Sequence, residues 1–229
     1  TRLWGTPRDQ KLLDYLFTFP KLGELVSQPS KHEDILSKRW ITGQGCKPWK
    51  AKNKSESDRD LKDFEEWSVD DSKAAVVDDD RGTLLRHFKA KGYSLKKLYS
   101  KPPEELFKPP LVLLNQGFSE ASFSQCLVRF QHSIQSFTNP RGGDEDALLF
   151  LAALLRSKLA RYFQFHTAAN LGTERDKVHL DEVLRLPFFL PDGEEALNGS
   201  RGFFAKIVKA MKSEAARIEQ SFTAARHEA

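Results

Sequence analysis

The side chains of this chain that could do chemistry stand in blocks of charge, not in a catalytic constellation. From Arg39 to Lys54 there are five basic residues and no acidic one; from Glu56 to Asp80 eleven acidic residues stand against three basic; from Arg81 to Lys108 eight basic stand against two acidic. Trp40, Trp49, Tyr93 and Tyr99 interleave with the basic blocks, and cations beside flat aromatic rings suit a nucleic-acid surface. Solvated faces of an ordinary protein explain the same blocks, and a net charge of +4 does not choose between the two. Asp78, Asp79 and Asp80 raise the question of a metal, but three adjacent carboxylates cannot all turn inward on one short stretch. Cys46 and Cys126 lack ligand spacing and the six His residues form no His-x-x-x-His pair, so reduced thiols in a cytosolic protein are the expectation. Gly43-Gln44-Gly45 is a lone Gly-x-Gly with no helix after it; it fails as a dinucleotide fingerprint and is expected to form a tight turn. No carboxylate accompanies a Glu-x-Lys at strand spacing, which ranks a hydrolytic nuclease last.

Short elements of both kinds must position these residues. With 229 residues, 39% of them hydrophobic and 30% charged, the chain can bury a real core as one large or two small domains. No stretch is long enough to span a membrane. The chain opens on Thr1 with neither a Met nor a secretory signal, the expectation for part of a larger protein. Thr6 as N-cap, Pro7 at the first helical position and Leu12, Leu13, Leu16 and Phe17 after them predict a helix that Pro20 ends. Trp40 and Ile41 predict a short strand. Glu56 to Gly82 reads as a surface excursion, and Gly82 to Tyr99 has helical spacing through Leu84, Leu85 and Phe88. The Lys101-Pro102-Pro103 and Lys108-Pro109-Pro110 breakers keep the backbone extended. Leu111 to Leu114 is the continuous apolar run of a buried strand, and Phe123–Phe130 and Ile134–Thr138 supply two more strands. After the Arg141-Gly142-Gly143 turn, Leu148, Leu151, Leu155, Leu159 and Tyr162 recur at helical steps and predict one long helix, with Asp144, Glu145 and Asp146 at its positive end. Beyond Pro191, Asp192-Gly193 predicts a turn and Phe203 to Ala225 a final amphipathic helix. The fold class is therefore α+β: a small mixed or antiparallel sheet flanked by helices, with a long C-terminal helical part.

The run LAALLRSKLARYFQFHTAANLGTERDKVHLDEVLRLPFFLP resembles the C-terminal segment of the target-recognition region in amino-group DNA methyltransferases, including single-chain restriction-modification enzymes. A leucine-rich helix closes on Ser157, Lys158, Leu159 and the aromatic Tyr162; Thr167, Gly172 and Arg175 follow; a last helix ends on Leu186-Pro187. The opening LWGTPRDQKLLDYLFTFP and the phrase LFKPPLVLLNQG are similar to the family's linking helix and to a central strand of its recognition sheet. The resemblance is dense after Lys101 and runs in outline over most of the chain.

That resemblance implies a linking or docking helix over 1–30, a target-recognition sheet with an acidic insertion over 31–140 and a packing helical region over 141–229. It implies double-stranded DNA as partner, with Arg39, Gln44, Asn115, Gln116 and Arg129 as candidate base readers. Lys47, Lys50, Lys101, Lys108, Arg141, Lys158 and Arg175 become candidate phosphate contacts. The family's catalytic tetrapeptide is replaced by Asn139-Pro140-Arg141-Gly142, which has neither the second proline nor the aromatic that stacks on a flipped base. No glycine-rich cofactor loop follows a strand. The expectation is a recognition module without catalytic residues or a cofactor of its own, joined to an N-terminal catalytic domain that binds S-adenosylmethionine and modifies adenine in the cytoplasm. A protein-interaction or docking domain, built on the apolar helices, is the alternative.

Overall fold

Two five-residue segments with every residue buried, the leucine-rich Leu111–Asn115 and the mixed Ile134–Thr138, pair antiparallel inside a five-stranded sheet. The structure, a computed structural model, describes residues 5–29, 36–48, 98–100, 102–118, 121–125, 128, 130, 132–169, 171, 177–191 and 200–227. The acidic excursion, the helical spacing through Leu84 to Phe88 and the Asp192-Gly193 turn lie outside those residues.

In chain order the elements are α1 (Pro7–Leu16), α2 (Leu22–Leu25), β1 (Val26–Ser27), β2 (Trp40–Gln44), β3 (Lys47–Pro48), β4 (Leu98–Ser100), a 3-10 turn (Glu104–Phe107), β5 (Leu111–Asn115), β6 (Ala121–Ser124), β7 (Ile134–Thr138), α3 (Glu145–Leu155), α4 (Lys158–Thr167), α5 (Leu180–Val183) and α6 (Ser200–His227). The large sheet has the order β1-β2-β7-β5-β6; β1 and β2 are parallel and every other pair antiparallel. β3 and β4 form a separate two-stranded ribbon. The fold is α+β with a mixed sheet, as the sequence predicts.

Side-chain alternation divides the sheet into two faces. Trp40, Val112, Leu114, Ala121, Phe123 and Phe137 join the main core with Leu13, Leu16, Leu148, Leu151, Leu155 and Phe163 from the helices. Ile41 and Leu106 pack on the opposite face, where the 3-10 turn is tied down by Ser136 Oγ, which donates to the Leu106 carbonyl at 2.8 Å. The Thr138 hydroxyl lies 2.9 Å from the carbonyls of both Lys108 and Pro110.

Three sequence expectations are corrected. The strand expected over Phe123–Phe130 is β6, Ala121–Ser124, whose register lies along Leu111 to Leu114. Phe130 instead accepts the Cys46 N–H on its carbonyl at 2.8 Å and sets its ring 5.0 Å from that of Phe107. Gly43 and Gln44 belong to β2 and make no tight turn. Their neighbouring glycine serves close packing: a Cβ on Gly45 would fall 2.0 Å from the Phe130 carbonyl oxygen. The single long helix is two. Ser157 turns to extended backbone and caps α4, its Oγ accepting from Ala160 N at 3.1 Å, while Arg156 Nη1 donates to the Ala121 carbonyl at 2.8 Å. The break rotates the buried face, so Leu155 is buried, Leu159 is 44% exposed, and Ala160 and Phe163 take over.

At the ends of the chain the expectations hold. Thr6 and Asp9 form a reciprocal capping box on α1, and Tyr162 Oη donates to the Asp9 carboxylate, joining α1 to α4. α6 lies antiparallel along α3, with Phe204 5.2 Å from Phe150 and Lys212 Nζ 2.6 Å from Asp146 Oδ1.

Candidate nucleic-acid interface

Strand register sorts the candidate residues onto two ends of the sheet. β2 and β5 both run antiparallel to β7, so they point the same way. Gln44 closes β2, Asn115 closes β5, and β7 begins between them: Gln44 faces Gln135, and Asn115 faces Ile134. Gln116 follows directly. Arg39, Lys108 and Arg141 belong to the opposite end, beside the starts of β2 and β5 and the end of β7, about 13 Å away at the usual strand rise.

The Arg39 end is a closed ionic knot. Arg39 donates from Nε and Nη2 to Asp144 Oδ2 and Oδ1, both at 2.8 Å. Trp40 Nε1 reaches Oδ2 at 3.0 Å and Asn139 Nδ2 reaches it at 3.2 Å. The guanidinium also stands 5.9 Å from the Trp40 ring. Hydrogen bonds from Arg39 first, then from Trp40 and Asn139, hold the Asp144 carboxyl below the usual carboxylate range against an opposing desolvation. Glycines at φ +81° and +77° bring the chain round, and Asp144 itself sits at φ +64°. Asp144 was expected to favour the positive end of its helix by charge; it makes no side-chain cap and ties the helix start to β2. The Asn139–Gly142 turn is part of the same knot. The Asn139 side chain accepts from Arg141 N at 3.0 Å as well as donating to Asp144. Arg39 has its guanidinium fork on Asp144. Arg141 is exposed and donates from Nη2 to the Leu36 carbonyl at 2.8 Å; Lys108 is exposed nearby.

The other end is more open. Gln44 is exposed, and Lys47, also exposed, starts the β3–β4 ribbon three residues on. Asn115 is buried on the face opposite Gln44, as strand alternation requires. Gln116 is committed to structure: its N–H donates to the Ser133 carbonyl at 3.0 Å, its Nε2 to the His132 carbonyl at 3.2 Å, and its own carbonyl accepts from Val178 N at 2.8 Å. That last bond brings the α5 segment against the sheet end. An open groove of about 470 Å³ separates them, with Gln28, Thr42, Gln44, His179 and Asp181 among its lining residues. Gln28 Nε2 donates to Asp181 Oδ1 at 3.2 Å across it. Glu182 fixes α5 from behind, accepting from His179 N and Ala169 N at 2.7 Å each. Thr42 Oγ1 and Gln135 Oε1, on the helix-facing side of the sheet, are buried without a hydrogen-bond partner among the described residues. Gln28, His179 and Asp181 were not singled out from the sequence; more than 130 positions separate Gln28 from Asp181, and only folding joins them.

Lys158 is exposed on the first turn of α4. Lys50, Lys101, Arg129 and Arg175 lie outside the described residues. Four of the positions that carry the family resemblance do structural work, while Lys158 and Leu159 are exposed. Ser157 is a helix cap, Tyr162 holds Asp9, Thr167 Oγ1 donates to the Phe163 carbonyl at 2.7 Å, and Pro187 bridges to Lys21.

No family model and no curated protein matches this chain. Among solved structures, the type IIG restriction endonuclease BpuSI is similar at 12% identity and a TM-score of 0.45, over 89% of this chain and 28% of that one. A chain of a type I restriction–modification system is similar at 13% identity and a TM-score of 0.36, over 96% of this chain and 49% of that one. The chain thus spans less than half of either protein. No helix among the described residues is long and apolar enough to cross a membrane.

Proposed function

We propose that this chain is the double-stranded DNA recognition module of an adenine-specific methyltransferase or restriction–modification protein, and that it reads bases from the sheet end that carries Gln44. The observation that carries the reading is the register, which sets Gln44, Asn115 and Gln116 at one end of the sheet with only Gln44 exposed, and leads from it to Lys47. Gln44 is then the base reader, with Asn115 and Gln116 shaping the surface behind it. Lys47, Lys108, Arg141 and Lys158 are exposed cations suited to phosphate. Lys50, Lys101, Arg129 and Arg175 remain candidates on the sequence resemblance. Methyl transfer and S-adenosylmethionine belong to an adjoining N-terminal domain in this reading, because the Asn139–Gly142 turn is committed to Asp144.

The test is selection of bound molecules from a random duplex pool at low and moderate salt, followed by sequencing. A short enriched motif, with affinity that falls as salt rises, is the expected result. Gln44→Ala should blur one position of that motif. Absence of salt-sensitive binding would sink the reading. A second reading, docking to another protein surface, is favoured by one observation: α1 and α4 expose Leu12, Tyr15, Leu159 and Phe165.

A further inference from the structure

Among the described residues, neither lysine nor arginine lines the groove beside Gln44. Asp181 brings a carboxylate, Gln28 and Gln44 bring side-chain amides, and the hydroxyl of Thr42 lies buried without a partner. Behind the lining, Gln135, the direct cross-strand neighbour of Gln44, has a buried amide oxygen with no partner among the described residues. Acceptors therefore dominate. A phosphate here would meet the Asp181 carboxylate with neither lysine nor arginine to offset it, and His179 is the one side chain in the lining that could carry a positive charge, so the groove is poorly suited to the nucleic-acid backbone.

Resting on the DNA reading above, we infer that this groove selects a base that presents an exocyclic amino group, adenine or cytosine, with Asp181 and Gln28 joining Gln44 as specificity-determining residues. Adenine N6 and cytosine N4 donate hydrogen bonds, which a carboxylate or an amide oxygen accepts. Guanine presents N7 and O6 and thymine presents O4 at the same edge. Each would set an acceptor against Asp181 and leave a carboxylate oxygen unmatched. With the amino hydrogen taken by Asp181, the amide of Gln44 is left to donate to the ring nitrogen beside it, the acceptor that adenine offers. Gln28 holds the Asp181 carboxylate through Oδ1, which leaves Oδ2 on the same carboxylate to receive the base.

The experiment uses the full chain, the motif selected from the random duplex pool, and base analogues that lack only the amino group: purine for adenine, 2-pyrimidinone for cytosine. The wild-type protein should require adenine or cytosine at one position, and removing the amino group there should weaken binding about tenfold. The analogue that has this effect identifies which of the two bases the groove takes. In Asp181→Ala the preference at that position should flatten while the other positions keep theirs, and the analogue should cause no further loss. Gln28→Ala leaves the carboxylate in place and should weaken the preference without abolishing it. Asp181 is exposed, and matched melting curves will separate a lost contact from a lost fold. A selected motif that Asp181→Ala leaves unchanged, or an analogue penalty that persists in the variant, overturns this assignment and leaves the DNA reading standing. A wild-type chain that binds no duplex overturns both.

Discussion

Replacing Asp144 by glycine removes the carboxylate and keeps a backbone free to hold the φ of +64° that the native residue adopts. Three groups lose their acceptor: the Arg39 fork, the Trp40 indole N–H and the Asn139 amide. Trp40 is fully buried, so its orphaned N–H should cost about 2 kcal/mol. The Arg39 side chain is 34% exposed; water takes over much of the lost pairing, and about 1 kcal/mol is a fair share for it. The sum is about 3 kcal/mol. With a urea m-value of about 3 kcal/mol/M for a chain of this size, the unfolding midpoint should fall by about 1 M. Asp144→Asn, which keeps an acceptor and tolerates the left-handed region, should lose about half as much. Asp144→Ala should be the worst of the three, because it adds about 1 kcal/mol of backbone strain. Urea titrations followed by tryptophan fluorescence measure all three. A glycine variant as stable as the wild type would mean that the carboxylate contributes nothing and that only the backbone shape of the turn matters.

Other outcomes follow from the same structure. The folded Asp144 carboxyl is depressed, so its contribution is complete above the unfolded value of about 3.9 and is lost as pH falls through the folded value. The gap in urea midpoint between wild type and Asp144→Asn should be constant from pH 7 to 5 and should begin to narrow below about pH 4. A gap that does not narrow at all as the pH falls below the unfolded value would refute the ionic part. Gly45→Ala drives a methyl against the Phe130 backbone and should cost about 3 kcal/mol, whereas Gly43→Ala meets only the movable tip of Leu106 and should cost about 1 kcal/mol; equal losses by urea titration would contradict the packing described. Ser157→Ala should cost about 1 kcal/mol through the lost α4 cap. Lys47→Ala should lower the slope of log affinity against log salt by about 1 for duplex DNA without changing the selected motif.

Where one residue and its neighbours decide the structure, the sequence was legible. The Thr6-Pro7 helix start, the buried strand at Leu111–Leu114 and the strand at Ile134–Thr138 needed only local spacing, whereas the last short helix, expected to close on Leu186-Pro187, ends at Val183. Ser157 shows why the rest was not. The apolar steps run through Leu155 and Leu159 without interruption, but a serine that can cap the following turn competes with a helix interior, and the break lets Arg156 reach the Ala121 carbonyl, a partner 35 positions away. Gly45 is another such case: its requirement comes from the Phe130 backbone across the fold, and no turn chemistry announces it. Gln44 could be named from its residue type, yet its setting among Gln28, His179 and Asp181 exists only once β2 and α5 are side by side.

Arg39 is the residue on which the two ends of the sheet make opposite demands. Its type and position beside Trp40 suit a base reader, and bidentate arginine is the strongest contact available to guanine. In the fold the same two donors already lie 2.8 Å from the Asp144 carboxylate. To read a base, Arg39 would have to give up that pair, worth about 1 kcal/mol at its exposure, and leave Asp144 held by Trp40 and Asn139 alone, which offsets the low end of the roughly 1–3 kcal/mol a guanine contact could return. Arg39→Lys keeps the charge and removes the fork. It should therefore lower the urea midpoint, by less than Asp144→Gly does, and leave every position of the selected DNA motif as it was. If instead the variant keeps its stability and loses a guanine from the motif, Arg39 exchanges partners on DNA and the knot at that end of the sheet is a resting state of the reader.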